Sequence, residues 1–263
     1  MRDRVLQLFE QQYIPPDRSE IIICYHGLSS NSSRRNPAPP MSVFSALRHL
    51  HERRDSLQRE LKVQAEFAAW EESCVPSYCH PNLAAAYLSW WRLYAAVALA
   101  RRHARFDAVL DFGAAVGELR RLLPASVGRY DFIEQNDRAA RYLNEQFAGA
   151  RRETLDSAPA GGYSCIFALD ALEHNTDFAP LLARLAGKLA PDGVFVMSGP
   201  TENRLYRLGR RIAGFDAHYH ETNIYAIEAA ARACMTRIDG RQLPPLLPLF
   251  RLSAWRPGAS VAR

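Results

Sequence analysis

The chain has 263 residues, 48% hydrophobic and 23% charged, a balance that suits one sizeable globular core with an appendage and excludes a disordered or fibrous chain. Its formal charge of +5 is spread thinly, with no tract joining dense basic residues to aromatics, so nucleic acid is not expected as a partner. No apolar run reaches membrane-spanning length and the first residues lack a signal-peptide pattern, so the expectation is a cytoplasmic protein without membrane contact.

Residues 1 to 41 give no clear element. Ile21, Ile22 and Ile23 suit a short strand or one buried helical turn, and SSNSSRRNPAPP reads as an exposed connector. From Ser42, a suitable cap, Val43, Leu47, Leu50, Leu57 and Leu61 recur at helical spacings and predict a helix or helix pair to about Glu72. The segment CVPSYCHPN breaks it. Its Cys74, Cys79 and His80 are one ligand short of a closed zinc site, and with Cys24, Cys165 and Cys234 the cysteines are odd in number and scattered, which describes no disulfide framework. A second helix starts at Pro81-Asn82 and places Leu83, Tyr87, Trp90, Trp91, Tyr94 and Val97 on one broad face.

From Phe106 short apolar strands alternate with amphipathic helices. Strands are expected at Ala108 to Phe112, Tyr130 to Glu134, Tyr163 to Leu169 and Val194 to Ser198, and helices at Glu118 to Leu123, Asp137 to Phe147 and Asp177 to Leu189. This rhythm implies an α/β fold with a mostly parallel sheet covered on both faces. A helix over about Tyr225 to Met235 then leads to two strands in succession, Thr236 to Gln242 and Leu249 to Trp255, which suggest an antiparallel hairpin at the sheet edge. The division expected is 1–105 as a helical extension or cap and 106–263 as the cofactor-binding domain.

The stretch VLDFGAAVGELRRLL carries the most chemistry. A strand ending in Asp111 runs into a small-residue turn, Gly113 to Gly117, and then a helix, the place where open parallel sheets bind ligands. Glu134 ends the second strand, where an acid can accept both hydroxyl hydrogens of an adenosine ribose. The first turn lacks G-x-G-x-x-G and sets Ala115 and Val116 where a pyrophosphate needs bare backbone, so a cofactor without phosphate fits better than NAD.

These motifs resemble the class I, Rossmann-like S-adenosylmethionine-dependent methyltransferases, in particular the small-molecule group that includes the ubiquinone-biosynthesis O-methyltransferases. The resemblance covers roughly 106 to 256 and implies a seven-stranded sheet and S-adenosylmethionine as cofactor. Asp111, Gly113 and Gly117 match its first motif, with Ala115 in place of the usual middle glycine. Glu134 matches the ribose acid, with Gln135 beside it at the adenine edge, and TLDSA offers Leu155 and Asp156 near the adenine amine. FALDALEHNTD resembles the segment after strand four, which implies that Leu169 and Asp170 lie along the methionine portion and that Glu173-His174 start the next segment. APDGVFVMSGP matches the turn into strand five.

A sulfonium is already an activated methyl donor, so the enzyme aligns the reactants and removes a proton where the acceptor needs it. Acceptor groups are expected beyond strands four and five, and the long polar segment 198 to 225 suits a lid. His220, then His218 and His174, are the candidate catalytic groups; Glu202, Asn203, Arg207 and Tyr219, with Trp91 and Tyr94 from the helical region, are the candidate substrate contacts. A cation between the histidines and Glu202 or Glu221 is the alternative, but the carboxylates of metal-dependent relatives find no match, and no metal is expected. The expected acceptor is a small aromatic or acidic molecule, methylated on oxygen, with nitrogen or carbon methylation, an RNA or protein acceptor, and a noncatalytic partner protein of the same fold as competing readings. The N-terminal helices serve as a cover or a homodimer surface.

Overall fold

A computed structural model describes residues 43–70, 73–175, 177–204, 206–207 and 222–258. The chain divides into two compact units, Met1–Phe67 and Ala68–Arg263. The boundary expected at 105/106 falls within the second unit, which takes in the helix before the first strand. The readings of residues 1 to 41 lie outside the described residues.

In the first unit, helix α1 (Val43–Leu61) buries Leu50, Leu57 and Leu61, spaced by seven and four residues as one helical face requires. It stops earlier than the expected Glu72 because Lys62 adopts φ +49 and leaves the helical region. A single 3₁₀ turn, Phe67–Ala69, replaces the rest.

The second unit opens with a one-turn helix, α2 (Val75–Tyr78), inside the segment expected to be a break, and continues into α3 (Leu83–Arg101). Asn82 starts α3, its side-chain oxygen accepting the amides of Ala84 and Ala85. The buried stripe is not the expected aromatic one. Ala86, Trp90, Leu93, Ala96, Val97 and Ala100 face inward, while Leu83 is exposed and Tyr87, Trp91 and Tyr94 are half-buried. Alanines win these places because α3 packs closely on the sheet at strands five and seven. Among the described residues α3 is the one helix long and apolar enough to cross a membrane, and 56% of that stretch is buried inside the fold.

The sheet has seven strands: β1 (Ala108–Phe112), β2 (Arg129–Ile133), β3 (Arg151–Arg152), β4 (Tyr163–Leu169), β5 (Leu189–Pro200), β6 (Met235–Leu243) and β7 (Phe250–Pro257), in the order 3-2-1-4-5-7-6. Strands one to five are parallel, and β6 and β7 form the expected antiparallel hairpin, with β7 against β5. Helices α4 (Glu118–Leu122), α5 (Asp137–Gln146), α6 (Phe178–Ala186) and α7 (Ile224–Ala231) fall between strands. The turn expected at 191–193 appears as an interruption of register: Leu189 pairs with Tyr163 but Val194 with Cys165. Leu110, Ile166, Phe167, Phe195, Val196 and Trp255 are fully buried, so the central strands are covered on both faces.

Candidate functional site

Register brings the site together. Phe112 pairs with both Ile133 and Ala168, so the carboxyl ends of β1, β2 and β4 are level and Gly113, Glu134 and Asp170 emerge at one edge. In the turn after β1, Gly113 has φ +78, and a Cβ there would stand 2.5 Å from that of Ala171 on the neighbouring strand end. Gly117, at φ +80, would drive a Cβ into Leu143 and Phe147 of the α5 region. Ala115 takes φ +47 with its methyl group in place, and so carries strain that a glycine would not.

That geometry aims the Ala115 amide at Glu134, whose Oε2 accepts it at 2.7 Å while Oε1 accepts the amide of Asn136 at 2.8 Å. Each carboxylate oxygen keeps a lone pair for a ligand. Arg152, on the short third strand, fixes the strand end from outside: Nη2 donates to the Glu134 carbonyl at 2.6 Å and Nη1 to Asp137 at 2.7 Å. Beside the carboxylate lies a cavity of about 560 Å³, walled by Phe112, Ile133, Gln135, Leu155 and Asn175 among others. A single small ligand fits such a volume. Apolar walls on one side and a pinned acid on the other suit a purine and its ribose.

Asp111 is buried behind the turn and accepts the Tyr130 hydroxyl at 2.6 Å. Burial pushes its carboxyl up to about 7, Tyr130 pulls it partly back, and Glu134 adds to the rise.

On the far side of β1, Asp170 has φ +52 at the end of β4. Its Oδ1 accepts the Ser198 hydroxyl at 2.9 Å and its Oδ2 pairs with Nη1 of Arg92 from α3. The Arg92 guanidinium lies 4.2 Å from the centre of the Phe250 ring, which Tyr206 meets edge-on. Burial opposes its charge, and Asp170 together with Cys74, Tyr78 and Tyr206 more than restores it. Glu173 is fully buried nearby, and burial together with the Asp170 charge raises its carboxyl well above the ordinary range. Burial also pushes the Cys74 thiol up to about 12, which makes it a packing group and not a nucleophile.

The other candidate residues are dispersed. Leu169 is buried within β4, paired with Ser198. Asp156 turns outward to Arg184, away from the cavity that Leu155 lines. His174 is exposed just past β4. Glu202, at φ +51, and Asn203 follow β5, and both polar atoms of the Asn203 side chain serve the backbone: its amide nitrogen donates to the Pro248 carbonyl and its oxygen accepts the Tyr206 amide, each at 2.7 Å. Arg207 is exposed. Trp91 and Tyr94 are half-buried on α3, and the ring nitrogen of their neighbour Trp90 donates to the Tyr78 carbonyl. His218, Tyr219 and His220 lie outside the described residues. Sequence reading missed Arg92, Arg152 and Asn175. A signal for Arg92 was present: it is the lone charge in α3 ahead of the last-turn Arg101.

Comparison with known proteins gives one family. A family model described as a methyltransferase domain matches residues 86–237. No curated protein matches. Among solved structures the chain is similar to PH0226 of Pyrococcus horikoshii OT3, with 15% identity over 66% of this chain and 92% of that one and a TM-score of 0.55. It is also similar to the N-methyltransferase NodS of Bradyrhizobium japonicum WM9, solved with S-adenosyl-L-homocysteine, with 16% identity over 65% and 87% and a TM-score of 0.53. At these identities the likeness is one of fold.

Proposed function

The chain belongs to the methyltransferase domain family, and from that premise we propose that it moves the methyl group of S-adenosylmethionine to a small-molecule acceptor, on oxygen, in the manner of the ubiquinone-biosynthesis group that its motifs resemble. It is an S-adenosylmethionine-dependent enzyme. The observation that carries the cofactor's place is Glu134, held by two backbone amides at the lip of a cavity of about 560 Å³. A carboxylate so fixed loses little freedom on gripping a ribose diol, and the adjoining turn offers no cradle for a pyrophosphate.

When bound, the cofactor supplies a methyl group already activated on a sulfonium. The protein's task is to orient the acceptor and exclude water. For the proton of a hydroxyl acceptor, His220 is the proposed base, with His218 and His174 behind it. Trp91, Tyr94, Glu202 and Arg207 are the proposed acceptor contacts, and a small aromatic acceptor suits the first two.

Calorimetric titration with S-adenosylmethionine, S-adenosylhomocysteine and NAD tests this reading. Micromolar binding of the two sulfur nucleosides, at least tenfold weaker in Glu134→Ala, and no binding of NAD are expected. Folded protein that binds neither nucleoside would overturn it.

A further inference from the structure

The amino edge of the sheet carries a second hollow, of about 390 Å³. It lies where β1 and β4 begin. Ser164, in its wall, holds both backbone groups of Ala108, its hydroxyl accepting the amide at 3.1 Å and donating to the carbonyl at 3.0 Å. Gly113 and Glu134 leave the strands at their other ends, so this hollow is apart from the cofactor cavity. Two stretches distant in sequence supply its basic groups. Arg101, Arg102 and His103 close α3, with Arg105 in the loop that follows, and Arg256 comes from the end of β7.

Four arginines line the hollow against one lining carboxylate, Asp192. At the rim Asp239 pairs with Arg102 at 3.0 Å and with His103 at 2.8 Å, and Asp107 pairs with Arg105 at 3.0 Å. With both of these acids counted, the arginines still leave one positive charge unbalanced. Basic residues in the last turn of a helix complement its dipole, which accounts for Arg101 and Arg102. Arg105 and Arg256 belong to no helix, so the dipole does not account for them. Donors are also left over. Arg102 gives Nη1 to Asp239, Arg105 gives Nε to Asp107, and Arg256 gives Nη2 to the His103 carbonyl at 3.5 Å, whereas each guanidinium has five donors.

We propose that this hollow is a second binding site, for a ligand that carries a diphosphate group. Guanidinium forks match phosphate oxygens in pairs, and two bridged phosphates engage arginines that arrive from two elements where one compact anion engages fewer. No Phe, Tyr or Trp lines the hollow, so a nucleobase finds no such ring to stack on and recognition rests on the diphosphate itself. Because the site stands at the sheet edge away from Glu134, it does not depend on the cofactor reading, and both ligands can be held together.

Calorimetric titration of the full chain at low ionic strength, with pyrophosphate, ADP and inorganic phosphate as probes, tests the site. One pyrophosphate per chain is expected, with ADP within about threefold of it and phosphate at least about tenfold weaker. The lining arginines are exposed, so the affinity should fall as sodium chloride is raised. Arg101→Gln and Arg256→Gln should each weaken pyrophosphate roughly tenfold, the scale of a charged hydrogen bond lost. Asp192→Asn, which removes the lining acid, should tighten it by about twofold or more. Arg141→Gln, which removes an exposed arginine of α5, should leave it unchanged.

No saturable binding of pyrophosphate by wild type overturns the site. So does an equal loss in Arg141→Gln, the mark of diffuse attraction by surface charge, or an undiminished affinity in both Arg101→Gln and Arg256→Gln. Phosphate bound as tightly as pyrophosphate overturns the diphosphate assignment. A short single-stranded RNA bound at least about tenfold more tightly than pyrophosphate, and weakened by the same substitutions, would assign the patch to nucleic acid and overturn the small-ligand site. The probe series on wild type needs no variant, so a substitution that fails to fold does not remove the test.

Discussion

Asp111 carries a pH dependence that follows from its burial. Its carboxyl stands at about 7 in the folded protein and 3.8 is its ordinary value, so the folded state holds the proton more tightly. The stability gained from the neutral form is fully present below about pH 4 and is lost as pH rises through 7. In Asp111→Asn this titration is absent while the Tyr130 hydroxyl keeps an acceptor. The variant should therefore gain on wild type between pH 4 and pH 8 by an amount on the order of a few kcal/mol, read by urea unfolding of the ligand-free protein. A difference that does not vary with pH would show that Asp111 ionises freely in the fold. Ala115 makes a second prediction at this scale. Its φ of +47 costs a residue with a Cβ roughly 1 kcal/mol, so Ala115→Gly should be neutral to stabilising by up to about 1 kcal/mol in thermal melts, with Glu134 still receiving the amide. The converse change, Gly113→Ala, meets the Cβ of Ala171 at 2.5 Å and forces the same strain, so it should destabilise by at least about 2 kcal/mol and weaken nucleoside binding.

At the scale of elements, one device recurs. Helices α3, α5 and α7 each start at an asparagine, Asn82, Asn136 and Asn223, whose side-chain oxygen accepts two amides of the first turn. Replacing Asn82 by alanine should cost about 1 kcal/mol, and the loss should appear in the urea midpoint without a change in slope. Asn82 was readable because it follows a proline and precedes an unbroken apolar run. The buried face of α3 was not: a helix apolar almost all round gives no stripe to choose by, and close approach to β5 and β7 selects its alanines over its largest aromatics. Strand β3 escaped for a different reason. Two exposed arginines, 151 and 152, have no alternation to detect, and they pair only because β2 presents Asp131 and Phe132 at the sheet's edge.

At the scale of the whole molecule, the cofactor should bind the folded chain and not the unfolded one. S-adenosylhomocysteine at a hundred times its dissociation constant should therefore add about 2.7 kcal/mol of stability and raise the melting temperature, whereas NAD at the same concentration should leave it unchanged. What the sequence determined by itself is local: the strand–turn–helix of residues 109–123, the acid at the end of strand two, the turn before strand five and the closing hairpin all follow from apolar period, small residues and chain punctuation, which neighbours in sequence set. What only the tertiary structure decided is which of these ends meet. Level register of β1, β2 and β4 brings the Ala115 amide to Glu134, nineteen residues on, and the seating of α3 on the sheet brings Arg92 to Asp170. A hydrogen bond or ion pair between distant residues is fixed by how layers pack and not by any local period, so Glu134 could be read from the chain as the acid that ends strand two while its partner amide, and the pairing of Arg92 with Asp170, could not.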